Sequence, residues 1–232
     1  MAKTSCSINS LERENPQILI VSGEDIGDPA HWLSRWEAKR DNCRRVDLGM
    51  WDAPHRNTWV NKLNLAIHRA NGPVVLVAHG LGCVTVAWWA EYEQPAFCDP
   101  VVCALFVAPP DVDRPGRDER LAGLGSCPRS DLPFPSYLAF SRNDPSCGYR
   151  TALALARDWG SHFADMGEIG PIDAQNNLGD WPEGERLLER LLAAYSHSVH
   201  SRCKTIVQTA GKLPRSAAGQ SPPLGLEKSG LG

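Results

Sequence analysis

Nothing in the chain is long and apolar enough to span a bilayer. The longest apolar runs, such as Val101 to Pro110, are strand-sized and fall far short of the about 20 residues a spanning helix needs. The first residues, Met1-Ala2-Lys3-Thr4-Ser5-Cys6, lack the apolar stretch of a secretory signal. Neither sign of charge dominates: 24 Lys and Arg stand against 27 Asp and Glu, a net charge of −3. No basic field is therefore available for nucleic acid or an anionic membrane. The eight cysteines, at 6, 43, 83, 98, 103, 127, 147 and 203, include no C-x-x-C pair and no Cys/His cluster at zinc spacing. Several, Cys83 and Cys103 among them, lie inside apolar runs, which predicts buried free thiols in a reducing compartment and no metal. Internal repeats are missing as well. These absences point to a cytoplasmic protein with neither nucleic acid nor membrane as partner.

What is present is enough for one sizeable core: 232 residues, 42% of them hydrophobic. The most informative stretch is Pro73-Val74-Val75-Leu76-Val77-Ala78-His79-Gly80-Leu81-Gly82-Cys83. A β-branched and aliphatic run ends in a turn of small residues, and an apolar helical pattern follows (Val84, Val86, Ala87, Ala90). Strand, sharp turn and helix in this order form a nucleophile elbow, G-x-S-x-G. Small residues are needed on either side of the apex because the two backbones pass close together, and Ala78 and Gly82 meet that need. The apex itself should be Ser, Cys or Asp, and it is Gly80.

Around this stretch the pattern alternates. Ile18 to Val21 reads as a buried strand, followed by a loop from Ser22 and a helix with Pro29 in its first turn and Trp32 and Trp36 on one face. A strand over Cys43 to Leu48 and a helix over about Thr58 to Ala70 precede the elbow. After it come strands at Val101 to Ala108, Pro135 to Ser141 and His162 to Met166, with helices over Tyr149 to Trp159 and Glu183 to Tyr195. The Asp-, Arg-, Gly- and Pro-rich segment 111 to 133 reads as a surface excursion over one end of the sheet. Residues 1 to 15 read as a flexible arm, 16 to 195 as one domain and 196 to 232 as a disordered tail. Alternating strands and helices predict a mostly parallel sheet with helices on both faces, with a ligand site beyond the carboxyl ends of the strands.

Four motifs in order carry a resemblance. Val75-Leu76-Val77-Ala78-His79-x-Leu81-Gly82-Cys83, Trp51-x-x-Pro54, Ser141-Arg142-Asn143-Asp144-Pro145 and Leu178-Gly179-Asp180-Trp181-Pro182-x-Gly184 together resemble the small α/β-hydrolases of the YdeN type, a group that includes the retinoblastoma-binding serine hydrolases. The likeness spans roughly residues 17 to 193. It implies a three-layer α/β-hydrolase fold with little or no lid, acting on small esters or amides with no metal and no organic cofactor. It also implies a triad of Ser at the elbow, Asp in the N-D-P turn and His just before the G-D-W-P segment. Asp144 matches the acid, Gly80 stands in the nucleophile position and Pro171 in the base position.

Acyl transfer by this route needs a hydroxyl or thiol, a base and an orienting carboxylate. Gly80 and Pro171 supply neither nucleophile nor base, so the chain is expected to be inactive or severely impaired. An oxyanion hole would draw on backbone N–H groups of Leu81 and of Gly23 or Glu24, and could hold a carbonyl or a carboxylate-like ligand. The alternatives are a ligand-binding or protein-interaction module on a hydrolase scaffold, or a hydrolase with a relocated nucleophile such as Cys83 or, less favoured, Ser22. His79 is expected to point away from the pocket, His162 to lie too early in the chain to replace the base, and Trp51, Trp59 and Trp181 to serve packing.

Overall fold

Runs in which every residue is apolar make strands buried on both faces. In the computed structural model, which describes residues 15–24, 27–114, 121 and 124–210 (199–210 by backbone alone), β3 (Val74–His79) and β4 (Val101–Val107) are buried at every position. With β1 (Gln17–Ser22), β2 (Cys43–Arg45), β5 (Ser136–Phe140) and β6 (His162–Asp165) they form a six-stranded sheet in the order β2-β1-β3-β4-β5-β6. Every neighbouring pair is parallel. The helices between them are α1 (Trp32–Lys39), α2 (Arg56–His68), α3 (Leu81–Glu93), α4 (Tyr149–Asp158) and α5 (Pro182–Ala210).

The two-residue period of a strand sorts the side chains into two cores. Ile18, Ile20, Val75 and Val77 pack with Trp32, Leu33 and Trp36 of α1 and Leu187, Leu188 and Leu191 of α5. Leu19, Val21, Leu76 and Ala78 pack on the opposite face with α2, α3 and α4 through Leu63, Val84 and Leu155. The strand order reverses direction between β1 and β3, and in an open parallel sheet that point leaves a crevice at the carboxyl ends.

Two expectations are corrected at the helix ends. α1 starts at Trp32 rather than near Pro29, because His31 caps it: its Nδ1 accepts the Leu33 N–H at 3.1 Å. The last helix does not stop at Tyr195 but continues to Ala210, so the stretch 196–210 is helical rather than structureless. The chain divides into two compact units at the same place, Met1–Tyr195 and Ser196–Gly232. Residues 1 to 14 of the expected arm and the tail from 211 lie outside the described residues, as do 115–120, 122 and 123 of the surface excursion. Among the described residues no helix is long and apolar enough to cross a membrane.

Candidate functional site

The turn after β3 explains its own residue choice. Gly80 has φ +57° and ψ −130°, a backbone conformation that side-chain-bearing residues adopt only under strain. A Cβ placed there would meet nothing within 4 Å, so the apex has room for a side chain and lacks one. Its neighbours have no such room. A Cβ at Gly82 would fall on the carbonyl of Val21, and one at Gly23 would lie 2.6 Å from the Leu81 Cβ. The close approach of β1 and the start of α3 thus requires these glycines and holds the apex clear of the sheet.

A cavity of about 380 Å³ opens above this turn, lined by Gly23 and Glu24 after β1, His79, Gly80 and Leu81, Asp144 after β5, and Pro171 and Asp173 beyond β6. Leu121 of the surface excursion also reaches it. The turn carrying Asp144 and the loop carrying Pro171 are tied together by side chains of the S-R-N-D-P segment. Asn143 Oδ1 accepts the Gly170 N–H at 2.8 Å, and Ser141 Oγ accepts the Ile169 N–H at 3.0 Å. From the other side Trp32 Nε1 donates to the Ile172 carbonyl at 2.8 Å and Trp36 Nε1 to that of Asp180 at 2.8 Å. The loop carrying Pro171, whose side chain has no proton acceptor, is therefore held from both sides.

Asp144 has only one of its two carboxylate oxygens paired. Its Oδ1 accepts the Ser146 N–H at 2.7 Å, whereas Oδ2 is buried with no partner. Burial raises its carboxyl above the usual aspartate range against the lowering effect of the Ser146 backbone and side chain, with a smaller upward push from Asp173. In an intact triad a histidine N–H would donate to such an oxygen.

The oxyanion side differs from expectation. Gly23 N–H donates to the His79 carbonyl at 3.1 Å, extending the β1–β3 ladder, and is not available to a ligand. Glu24 N–H is held by Ser22 Oγ at 3.3 Å. The Leu81 N–H, at the start of α3, has no acceptor among the described residues and is one of the orphan donors of a helix N-terminus. A carboxylate-like ligand would meet the carboxyl groups of Glu24, Asp144 and Asp173 in this cavity.

His79, expected to point away, lines the cavity. It is buried, with Nδ1 3.5 Å from Glu24 Oε1 and Nε2 3.5 Å from the Pro171 carbonyl oxygen. Burial holds its imidazole below the ordinary histidine value despite Glu24. His31, which no motif singled out, stands edge-on to it at 5.3 Å and brings Nε2 to 3.6 Å from the same Glu24 oxygen. His31, first, and His79 hold the Glu24 carboxyl low against the opposing effect of burial. One ligand atom from each of Glu24, His31 and His79 lies within 4.8 Å of the others, close enough to share a metal ion. The capping bond argues against it. Because His31 Nδ1 accepts the Leu33 N–H, the neutral ring carries its proton on Nε2, the atom a metal would need.

The relocated nucleophiles do not reach the cavity chemistry. Cys83 is fully buried, donates to the Ala78 and Val107 carbonyls at 3.3 and 3.4 Å, and burial raises its thiol far above the usual range. Such a thiol is inert. Ser22 is buried and engaged with the Glu24 amide. His162 starts β6, at the end of the sheet opposite the cavity.

A parallel sheet covered on both faces, with a sharp glycine turn after its third strand and an acid after its fifth, defines an α/β-hydrolase. The serine hydrolase family model matches residues 18–190, and the chain belongs to that family. Its type is that of the small YdeN-like α/β-hydrolases. A protein described as a YdeN-like hydrolase from Pectobacterium atrosepticum is similar over 82% of this chain and 95% of its own, at 25% identity and a TM-score of 0.66. The ydeN product of Bacillus subtilis is similar over 77% and 99%, at 17% identity and a TM-score of 0.62. Est1E of Butyrivibrio proteoclasticus, solved with ferulic acid bound, shares the fold over 77% and 88%, at 10% identity and a TM-score of 0.58. No curated protein sequence matches the chain.

Proposed function

We propose that this serine hydrolase family member does not hydrolyse esters or amides by the serine route, and that its pocket serves as a small-molecule binding site. One observation carries the reading: the apex after β3 has the strained backbone of a nucleophile elbow and the space for a side chain, yet holds Gly80. The orphaned Asp144 Oδ2 supports it from the base side. Loss of the nucleophile or the base alone costs about 10⁶ in turnover in a serine triad, and loss of both costs little more. What survives is binding and part of an oxyanion hole, at most about 10³–10⁴ over water.

The test is treatment of the unmodified protein with a serine-reactive phosphonate and an activated ester such as a nitrophenyl acetate. No covalent adduct and turnover close to the buffer rate are expected. Stoichiometric labelling mapped to any residue of the cavity would overturn the proposal.

A further inference from the structure

We propose that the cavity beyond β1 and β3 binds a small organic cation bearing an N–H donor, an alkylammonium or imidazolium group, seated on Asp144. This rests on the reading of the pocket as one kept without its triad, and it names the ligand class.

The polar groups of the cavity are acceptors in excess. Glu24, Asp144 and Asp173 line it, and among its described lining residues none is Lys or Arg. Asp144 is only 7% exposed, and its Oδ2 has no hydrogen-bond partner. His79, 5% exposed, likewise leaves Nδ1 without a hydrogen bond. Among the described lining residues, the Leu81 N–H is a backbone donor without a partner. A buried carboxylate oxygen without a donor is unfavourable, and a charge-assisted N–H bond is among the strongest ways to relieve it.

A bare metal ion fits these groups less well than an organic cation. Among the described residues the only three potential ligand atoms within 4.8 Å of one another belong to Glu24, His31 and His79, and the tautomer of His31 turns an N–H towards that point. Asp144 and Asp173 join no such trio. Carboxylates spread around about 380 Å³ suit a ligand of several heavy atoms with its charge at one end. Imidazole is the natural probe, because a histidine ring is what Asp144 lacks.

The experiment is calorimetric titration of the unmodified protein with imidazole, slightly below neutral pH where most of it is protonated. Saturable one-to-one binding is expected, weakened at least about tenfold, or 1.4 kcal/mol, by Asp144→Asn. Asp131→Asn, in a separate cavity at the end of α3, should leave it unchanged. Should Asp144→Asn fail to fold, Asp173→Asn should still weaken binding about two- to threefold by removing a longer-range attraction. Non-saturable heat, or affinity indifferent to both substitutions, overturns the proposal, as does tighter binding of zinc or calcium in competition with imidazole. The outcomes separate the two readings. A phosphonate adduct on the unmodified protein sinks the triad-less reading, whereas an unlabelled protein that ignores imidazole sinks only this one.

Discussion

Gly80 is where chemistry and backbone energetics meet. At φ +57° a side chain costs roughly 1–3 kcal/mol, partly offset by the roughly 0.5–1 kcal/mol that glycine loses through its freer unfolded state. With open space around the apex, no clash adds to this. Gly80→Ser is therefore expected to lower stability by about 1 kcal/mol, read as a lower denaturant midpoint; a clear gain would contradict the strain argument. Asp144 makes a second case. A carboxyl raised in the folded state binds its proton more tightly there than when unfolded, so stability falls as pH rises through the folded value. The cost is absent below the ordinary aspartate value of about 3.9 and grows as pH rises from there through the raised folded value. Asp144→Asn should thus stabilise the protein at neutral pH and lose that advantage under acid, measured as thermal midpoints across the range. An unchanged difference at both ends would place the effect elsewhere.

Elements are held to the site by contacts that tolerate little change. The start of α3 passes so close to β1 that a methyl group at Gly82 would overlap the Val21 carbonyl. Gly82→Ala should cost at least about 1–3 kcal/mol, an overpacking penalty visible in a urea melt, and a neutral result would mean the two elements can separate. Strands and helices around this turn were readable because their patterns are nearly unmixed: β3 is apolar from Val74 to Ala78, β4 is apolar throughout, and Trp32 and Trp36 share one face of α1. The end of α5 was not. Residues 196 to 210 contain no Gly or Pro, and these return only at Gly211 and Pro214. Averaging composition over the whole stretch hid a helix that has nothing in its sequence to stop it.

At the scale of the whole molecule, the reversal of strand order between β1 and β3 gathers residues far apart in sequence at one crevice: Glu24, Gly80, Asp144 and Pro171 line a single cavity. Motif spacing made these positions legible, because each follows a strand end. His31, His79 and Asp173 were not legible as neighbours of the site. Their roles arise from side-chain direction and loop path: the capping bond of His31, the ring of His79 turned towards Glu24, and the turn that sets Asp173 in the wall. Hydrogen-bond traffic also decided what spacing could not, since the Gly23 amide belongs to the ladder and not to a ligand.

Reconstitution tests the central claim most directly. Turnover of an activated ester is measured for the unmodified protein, Gly80→Ser, Pro171→His and the double variant. A hydroxyl at the vacant apex and an imidazole beside Asp144 should act as a unit, so the double variant is expected to gain about 10³-fold or more while each single change gains less than about tenfold. If the double variant stays folded and turns over no faster than the unmodified protein, the cavity does not retain the geometry of a hydrolase site.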